Sequence, residues 1–191
     1  MNTKVEIKGG GLDEFADLAD KLARGEITVK AARAAINVVG KDARKAVKAA
    51  LLKQLGLPWK EIVHYGGLEF NRASAKHLNY RIVSQGKAIP LKAFGATQSA
   101  TGVQVKLGGK AVRMPGLFIN AGRWDSGQPV LGGHVFQRKT VFSLPVEKQF
   151  GPSVPEEIVT GETARAFLQE ADRLPREIAI QMARETKGAV S

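Results

Sequence analysis

His64, His77 and His134 are the only imidazoles in the chain, and metal ligation is the first chemistry they could serve. A protein-held zinc needs four ligands, usually at a compact spacing such as His-Glu-x-x-His or paired cysteines. Here the histidines stand far apart, and the sequence has no cysteine to complete a tetrahedral site. The absence of cysteine also excludes a disulfide framework and a thiol nucleophile. Hydrolysis by acid and base asks for carboxylates held as a pair. The strand-rich middle offers only Glu69, Asp125 and Glu147, with no local spacing that pairs them. Ser74, Ser84, Ser99, Ser126, Ser143 and Ser153 lack a Gly-x-Ser-x-Gly elbow, and neither Gly-x-x-x-x-Gly-Lys-Ser/Thr nor Gly-x-Gly-x-x-Gly occurs. These patterns assign no catalytic, cofactor-binding or metal-binding residue. A hydrolase would have to assemble its site from distant segments.

Charge points instead to partners. The chain has 191 residues, a formal net charge of +11 and a pI near 10.0. Residues 66–150 carry twelve Lys and Arg against three acids, whereas residues 151–191 carry five against seven. A basic field of this kind favours acidic or phosphate-bearing partners without naming one. No apolar run approaches the roughly 20 residues that cross a bilayer. The N-terminal stretch "MNTKVEIKGGGLDEF" lacks the apolar centre of a secretory signal, so we expect a soluble chain that stays in the cell that makes it.

The elements that would carry such a surface follow from periodicity. Leu12, Phe15, Leu18, Ala19 and Leu22 predict a short amphipathic helix that stops at Gly25. Thr28 is a candidate cap for a long helix ending at Gly56. Ala32, Ile36, Val39, Ala43, Ala46, Val47, Ala50 and Leu51 make its apolar stripe. Lys30, Arg33, Asn37, Lys41, Arg44 and Lys48 make a basic one, either a solvated face or a rail for phosphate or an acidic neighbour. A short helix follows from Leu57-Pro58; a helix-turn-helix comparison fits poorly, because the first helix is too long.

From residue 76 alternating apolar and polar runs bounded by glycines predict strands in "HLNYRIVSQG", "TGVQVKLGGKAV", "GLFINA", "GHVFQRKT" and "FSLPVEKQF". Within "LPVEKQFGPSVP", Leu144, Val146 and Phe150 are expected to face the core, with Glu147 and Lys148 on the wet side. Gly151-Pro152 should end pairing, and Ser153 should lead into a helix beginning at Pro155-Glu156-Glu157. Phe167, Leu168, Ala171, Leu174, Ile178 and Met182 predict the inner face of a C-terminal helix that Pro175 kinks or splits. The expected fold is α+β: an N-terminal long helix, a central antiparallel β-sheet and a C-terminal helix. Its regions are helical over 1–65, β-rich over 66–160 and helical over 161–191, as one compact domain with helical arms.

Taken in order, several segments resemble one family. "KAARAAINVVGKDARKAVKAAL" leads into "GLPWKEI"; then comes "QGKAIPLKAFGATQSATGVQVKL", with Pro90-Leu91, Phe94, Gln98 and Gly102; then "GLFINA", "HVFQRK" and "LPVEKQFGPSVP". Together they resemble the phage minor tail protein Z family of tail-completion proteins, from about residue 28 to residue 160. One departure is Pro115-Gly116-Leu117-Phe118, where the family pattern has a small residue directly before the phenylalanine. Residues 1–27 and 161–191 match only loosely.

The resemblance implies a structural, non-enzymatic protein of a tailed phage or prophage, without cofactor or metal. Such a protein would finish the tail so that the head can join it. It would sit in the virion tail, and in the bacterial host cytoplasm during assembly. Its partners would be itself, in a ring that family resemblance makes hexameric, and other tail or head–tail connector proteins, with no membrane. Weak, nonspecific contact with DNA follows if a basic lumen meets DNA in transit. We expect Lys92, Phe94, Gln98, Arg113, Arg123, Gly151 and Pro152 at the subunit interface, the basic middle of one subunit meeting the acidic C-terminal helix of the next. The alternative is a basic nucleic-acid-binding protein whose affinity for duplex falls steeply with salt.

Overall fold

The computed structural model describes residues 20–21, 24–120, 125–129, 131–141 and 144–186. The expected short helix at 12–22 lies almost wholly outside the described residues. The fold is α+β. Among the described residues a long helix, α1 (Glu26–Leu55), and a short one, α2 (Trp59–Gly66), precede ten short strands, and three helices follow them. The described residues fall into two compact units. One lies within Met1–Asp42, Asn71–Arg81 and Glu170–Ser191; the other comprises those of Ala43–Phe70 and Ile82–Gln169. The division falls inside α1 rather than at its end.

Among the described residues the strands form four small sheets rather than one continuous sheet, with antiparallel pairing in those that hold β3 to β10. β1 (Glu69–Asn71) pairs with β2 (Arg81–Val83). β4 (Thr97–Ser99), β5 (Gly102–Leu107) and β6 (Lys110–Pro115) form a meander in which Val103 faces Met114 and Val105 faces Val112. β7 (Leu117–Phe118), β8 (Phe136–Arg138) and β9 (Val146–Lys148) form another. β3 (Ala88–Pro90) pairs with β10 (Phe150–Ser153). Gly108 and Gly109, with φ of 56° and 78°, make the tight β5–β6 turn, a conformation glycine adopts without steric cost. Prolines at the ends of β3 and β6 cannot donate to a ladder, which keeps the strands short.

The core of the larger unit collects side chains from across the sequence. Leu51 and Leu55 of α1, Leu57, and Ile62 of α2 meet Ile89, Leu91, Phe94, Val103, Val105, Leu117, Val135 and Val154. The end of α1 is fixed by Gly56, whose φ of 69° and N–H bond to the Leu52 carbonyl close the helix.

The smaller unit is built from smaller parts. Ile27, Ala31, Ala35 and Val39 form the buried face of α1 there. The expected stripe therefore holds at Val39, Ala43, Val47, Ala50 and Leu51 but not at Ala32, Ile36 and Ala46, which are only half-buried. Alanine sits on several faces of this turn, so its periodicity marks no single side. Asn37 clamps the backbone of Ala73, donating Nδ2–H to its carbonyl at 3.0 Å and accepting its N–H at 2.9 Å. Gly40 lies under the Tyr80 ring, where an added Cβ would come within 2.3 Å of ring carbons. Thr28 lies inside α1, which starts at Glu26 beside Gly25, and so is no cap.

At the C-terminal end a helix follows Ser153 as expected, starting one residue before Pro155: Ser153 caps α3 (Val154–Ile158) by accepting the Glu156 N–H. Pro175 divides the closing segment into α4 (Gly161–Ala171) and α5 (Leu174–Glu185). The expected inner face of α4 does not hold: Phe167 and Leu168 are exposed, and Thr163 is the buried residue. Gln54 explains why, because it binds Thr163 and so sets the rotation of that helix.

Candidate assembly surface

The residues expected at a subunit interface separate into those that hold the core and those that face water. Phe94 ends a 3₁₀ turn, Leu91–Phe94, that Gly95 closes in the left-handed conformation. It is only 2% exposed and packs in the core, so its side chain is not presented to a neighbour. Gly151 lies against it: a Cβ there would stand 2.8 Å from Phe94 Cε2. Phe150 pairs with Pro90 and Ser153 with Ala88, which places two residues of β10, Gly151 and Pro152, opposite Ile89 alone. The Gly-Pro pair is thus a β-bulge, and it deforms pairing where it was expected to end it.

Gln98 is an internal brace. Its Nε2 donates to the carbonyls of Ser99 at 3.0 Å and Gly102 at 3.1 Å, and its Oε1 accepts the Ile119 N–H at 2.6 Å. It ties the β4–β5 turn to the end of β7. Of the remaining expected residues, Lys92 and Arg113 are exposed, Arg113 on β6 opposite Gln104 of β5. Arg123 lies outside the described residues. Phe94, Gly151 and Pro152 come together at the β3–β10 pair, Lys92 reaches away to the Gly132 carbonyl, and Gln98 and Arg113 belong to the β4–β5–β6 meander.

What the surface adds is apolar. Val141 is 95% exposed and Leu144 70% exposed, both in the connection between β8 and β9, and Val159 and Leu168 lie open around α4. Leu144 and Phe150 were expected to face inward; both are exposed. At Gln149 the chain changes partners, its N–H bonding the Val135 carbonyl and its carbonyl accepting the Leu91 N–H. That change resets the alternation of the strand, leaving Phe150 outside beneath Lys148, whose Nζ lies 5.4 Å from the ring centroid.

The basic stripe of α1 has internal work. Lys30 pairs with Glu185 at 2.6 Å, Arg44 stacks on Phe70 at 4.1 Å, and Lys48 stacks on Trp59 at 4.3 Å. Cation–π contacts of this type are worth about 0.5–1 kcal/mol at exposed sites. Between α1 and α4 lies an open groove of about 360 Å³ lined by Ala46, Ala49 and Ala166 with Lys53, Glu162 and Arg165.

Gln54 had no signal in the sequence. Its Oε1 accepts both the N–H and the hydroxyl of Thr163 at 3.1 Å, and its Nε2 donates to the Glu157 carbonyl at 3.1 Å and to the Glu157 carboxylate. One glutamine thus sets the start of α4 against the end of α1. Its partners lie 103 and 109 residues away, beyond any local pattern.

The histidines stay apart, and no group of three or more His, Asp or Glu side chains is arranged for a metal among the described residues. His64 meets the Tyr65 ring edge-on at 4.7 Å, His77 is exposed in a turn with Ser74, and His134 meets Lys148. No helix is long and apolar enough to cross a membrane among the described residues. No family model, curated protein or solved structure matches the chain.

Proposed function

We propose that the chain is a non-enzymatic minor tail protein of a tailed phage or prophage, acting in tail completion and head–tail joining as a ring-forming subunit. The reading rests on the segments by which the sequence resembles that family. Those from Gln85 onward pair with one another inside the larger unit, β3 with β10, and β7 with β8 and β9, while the first, over 30–51, begins in the smaller one.

The larger unit leaves Val141, Leu144 and Leu168 in water, and exposed apolar groups of this kind suit contact with another chain. Subunits around an axis meet head to tail through two different patches, so a ring covers such groups without requiring self-complementarity. Phe94, Gln98 and Gly151 maintain the fold in this scheme. The contacts fall to Lys92, Arg113 and the exposed apolar side chains. The stripe on α1 that suggested nucleic acid is drawn on for contacts within the chain.

Electron microscopy of particles made without this protein tests the proposal. Complete heads beside complete, unjoined tails are expected. Normally joined, infectious particles would overturn it.

A further inference from the structure

Two lysines and an imidazole gather around Gly132–His134 in the larger unit, and among the described residues no acid pairs with either lysine. Lys92, on the 3₁₀ turn, donates to the Gly132 carbonyl at 2.6 Å. Its Nζ also lies 3.9 Å from where a Cβ on Gly133 would stand, next to His134. Lys148 of β9 places its Nζ 3.3 Å from His134 Nε2. Among the described residues no carboxylate pairs with Lys92 or Lys148. Glu147, beside Lys148 in sequence, turns to Lys139 at 3.3 Å.

The imidazole completes the arrangement. An ammonium only donates, so Nε2 accepts from Lys148 and the ring proton sits on Nδ1. Nδ1 is buried and has no hydrogen-bond partner. Burial first, then Lys148 and then Lys92 hold the His134 pKa below its ordinary value. The ring is neutral at neutral pH, between cations that oppose its protonation.

We propose that Lys92, His134 and Lys148 form a binding site for a single oxyanion, a carboxylate or a phosphate group. Each lysine can donate a hydrogen bond to one oxygen, and the anion offsets the repulsion between the two ammonium groups. Lys92 from the 3₁₀ turn and Lys148 from β9 lie against neighbouring residues, Gly132–Gly133 and His134, which suits one anionic group rather than the backbone of a duplex. With an anion in place the imidazole gains a second proton more easily, so binding tightens as pH falls. The facing groups are Lys148 from β9 and Lys92 from the 3₁₀ turn. The site shares Lys92 with the assembly reading, but it needs no second subunit and is tested on the single chain.

Nuclear magnetic resonance of the full chain tests it, following the imidazole C–H signals during titration with sodium phosphate and, separately, sodium acetate at constant ionic strength. His134 is expected to shift saturably, and its titration midpoint to rise by about one pH unit at saturation. His64 and His77, both exposed, serve as controls. Saturation by phosphate alone assigns the site to phosphate; saturation by both probes assigns it to carboxylates as well. The Lys92→Ala/Lys148→Ala variant should lose the shift. If that variant fails to fold, Lys92→Gln and Lys148→Gln singly should each weaken binding about tenfold. A His134 signal that moves no more than those of the controls overturns the proposal, as does a shift that survives removal of the lysines.

Discussion

The two units are held together by different physics. In the larger one, Phe94, Leu51, Ile62, Ile89 and Val103 are sealed in a shared core, their contacts drawn from α1, α2 and the strands. In the smaller one the buried face of α1 is Ile27, Ala31, Ala35 and Val39, and specific polar contacts do the fastening: Asn37 on Ala73, Lys30 on Glu185, and Arg173 on Asp42 at 3.6 Å. Apolar area contributes roughly 25 cal/mol per Å², so alanines supply little of it. The larger unit should therefore respond to lost volume, and the smaller to lost hydrogen bonds and to salt.

The largest effect should come from Phe94→Ala. Removing a buried phenylalanine leaves a cavity and costs about 3–5 kcal/mol. Chemical denaturation followed by fluorescence should show the loss, and hydrogen exchange should quicken in β5 and around Ile62. A cost under about 1 kcal/mol would mean that the core repacks readily and that the contrast between the units is false.

Asn37→Ala comes next. It strips both partners from the Ala73 backbone, and an unsatisfied polar group costs about 1–3 kcal/mol when buried, less here because Asn37 is half-buried. Exchange should quicken at Ala73 and along the first turns of α1, with β5 almost unchanged. Equal acceleration in both units would show that they open together and would erase the distinction.

How far these contrasts could be read from sequence depends on the reach of each contact. Ser153 as a cap, Pro175 as a helix divider and Gly56 as a helix end are local signals, and each lies where chain stereochemistry puts it. The strands between glycines were legible for the same reason. Gln54 and Gln98 were not, because a glutamine carries no periodicity and its partners lie far off in sequence. Phe94 was legible as a large apolar residue, yet family resemblance drew it toward the interface, where its burial does not allow it to act. Phe150 was misread because alternation assumes one continuing partner strand, and the chain changes partner at Gln149. Of the expected interface only Lys92 and Arg113 keep the exposure such a role needs among the described residues, with Pro152 half-buried at the bulge.

The smallest effect sharpens the comparison most. Lys30 and Glu185 join α1 to α5 through an ion pair that leaves the lysine side chain 60% exposed and the glutamate 24%. Pairs this open are worth about 0.2–1 kcal/mol in double-mutant cycles and weaken with salt. Lys30→Gln should therefore cost under about 1 kcal/mol at low ionic strength and almost nothing at 1 M salt. Exchange of the α5 amides in the unmutated chain should quicken over the same salt range, while the amides of β5 stay as they are. If β5 responds as strongly as α5, charge pairing is not what separates the units. If neither responds, Asn37 and the small apolar face of α1 hold the smaller unit without help from its ion pairs.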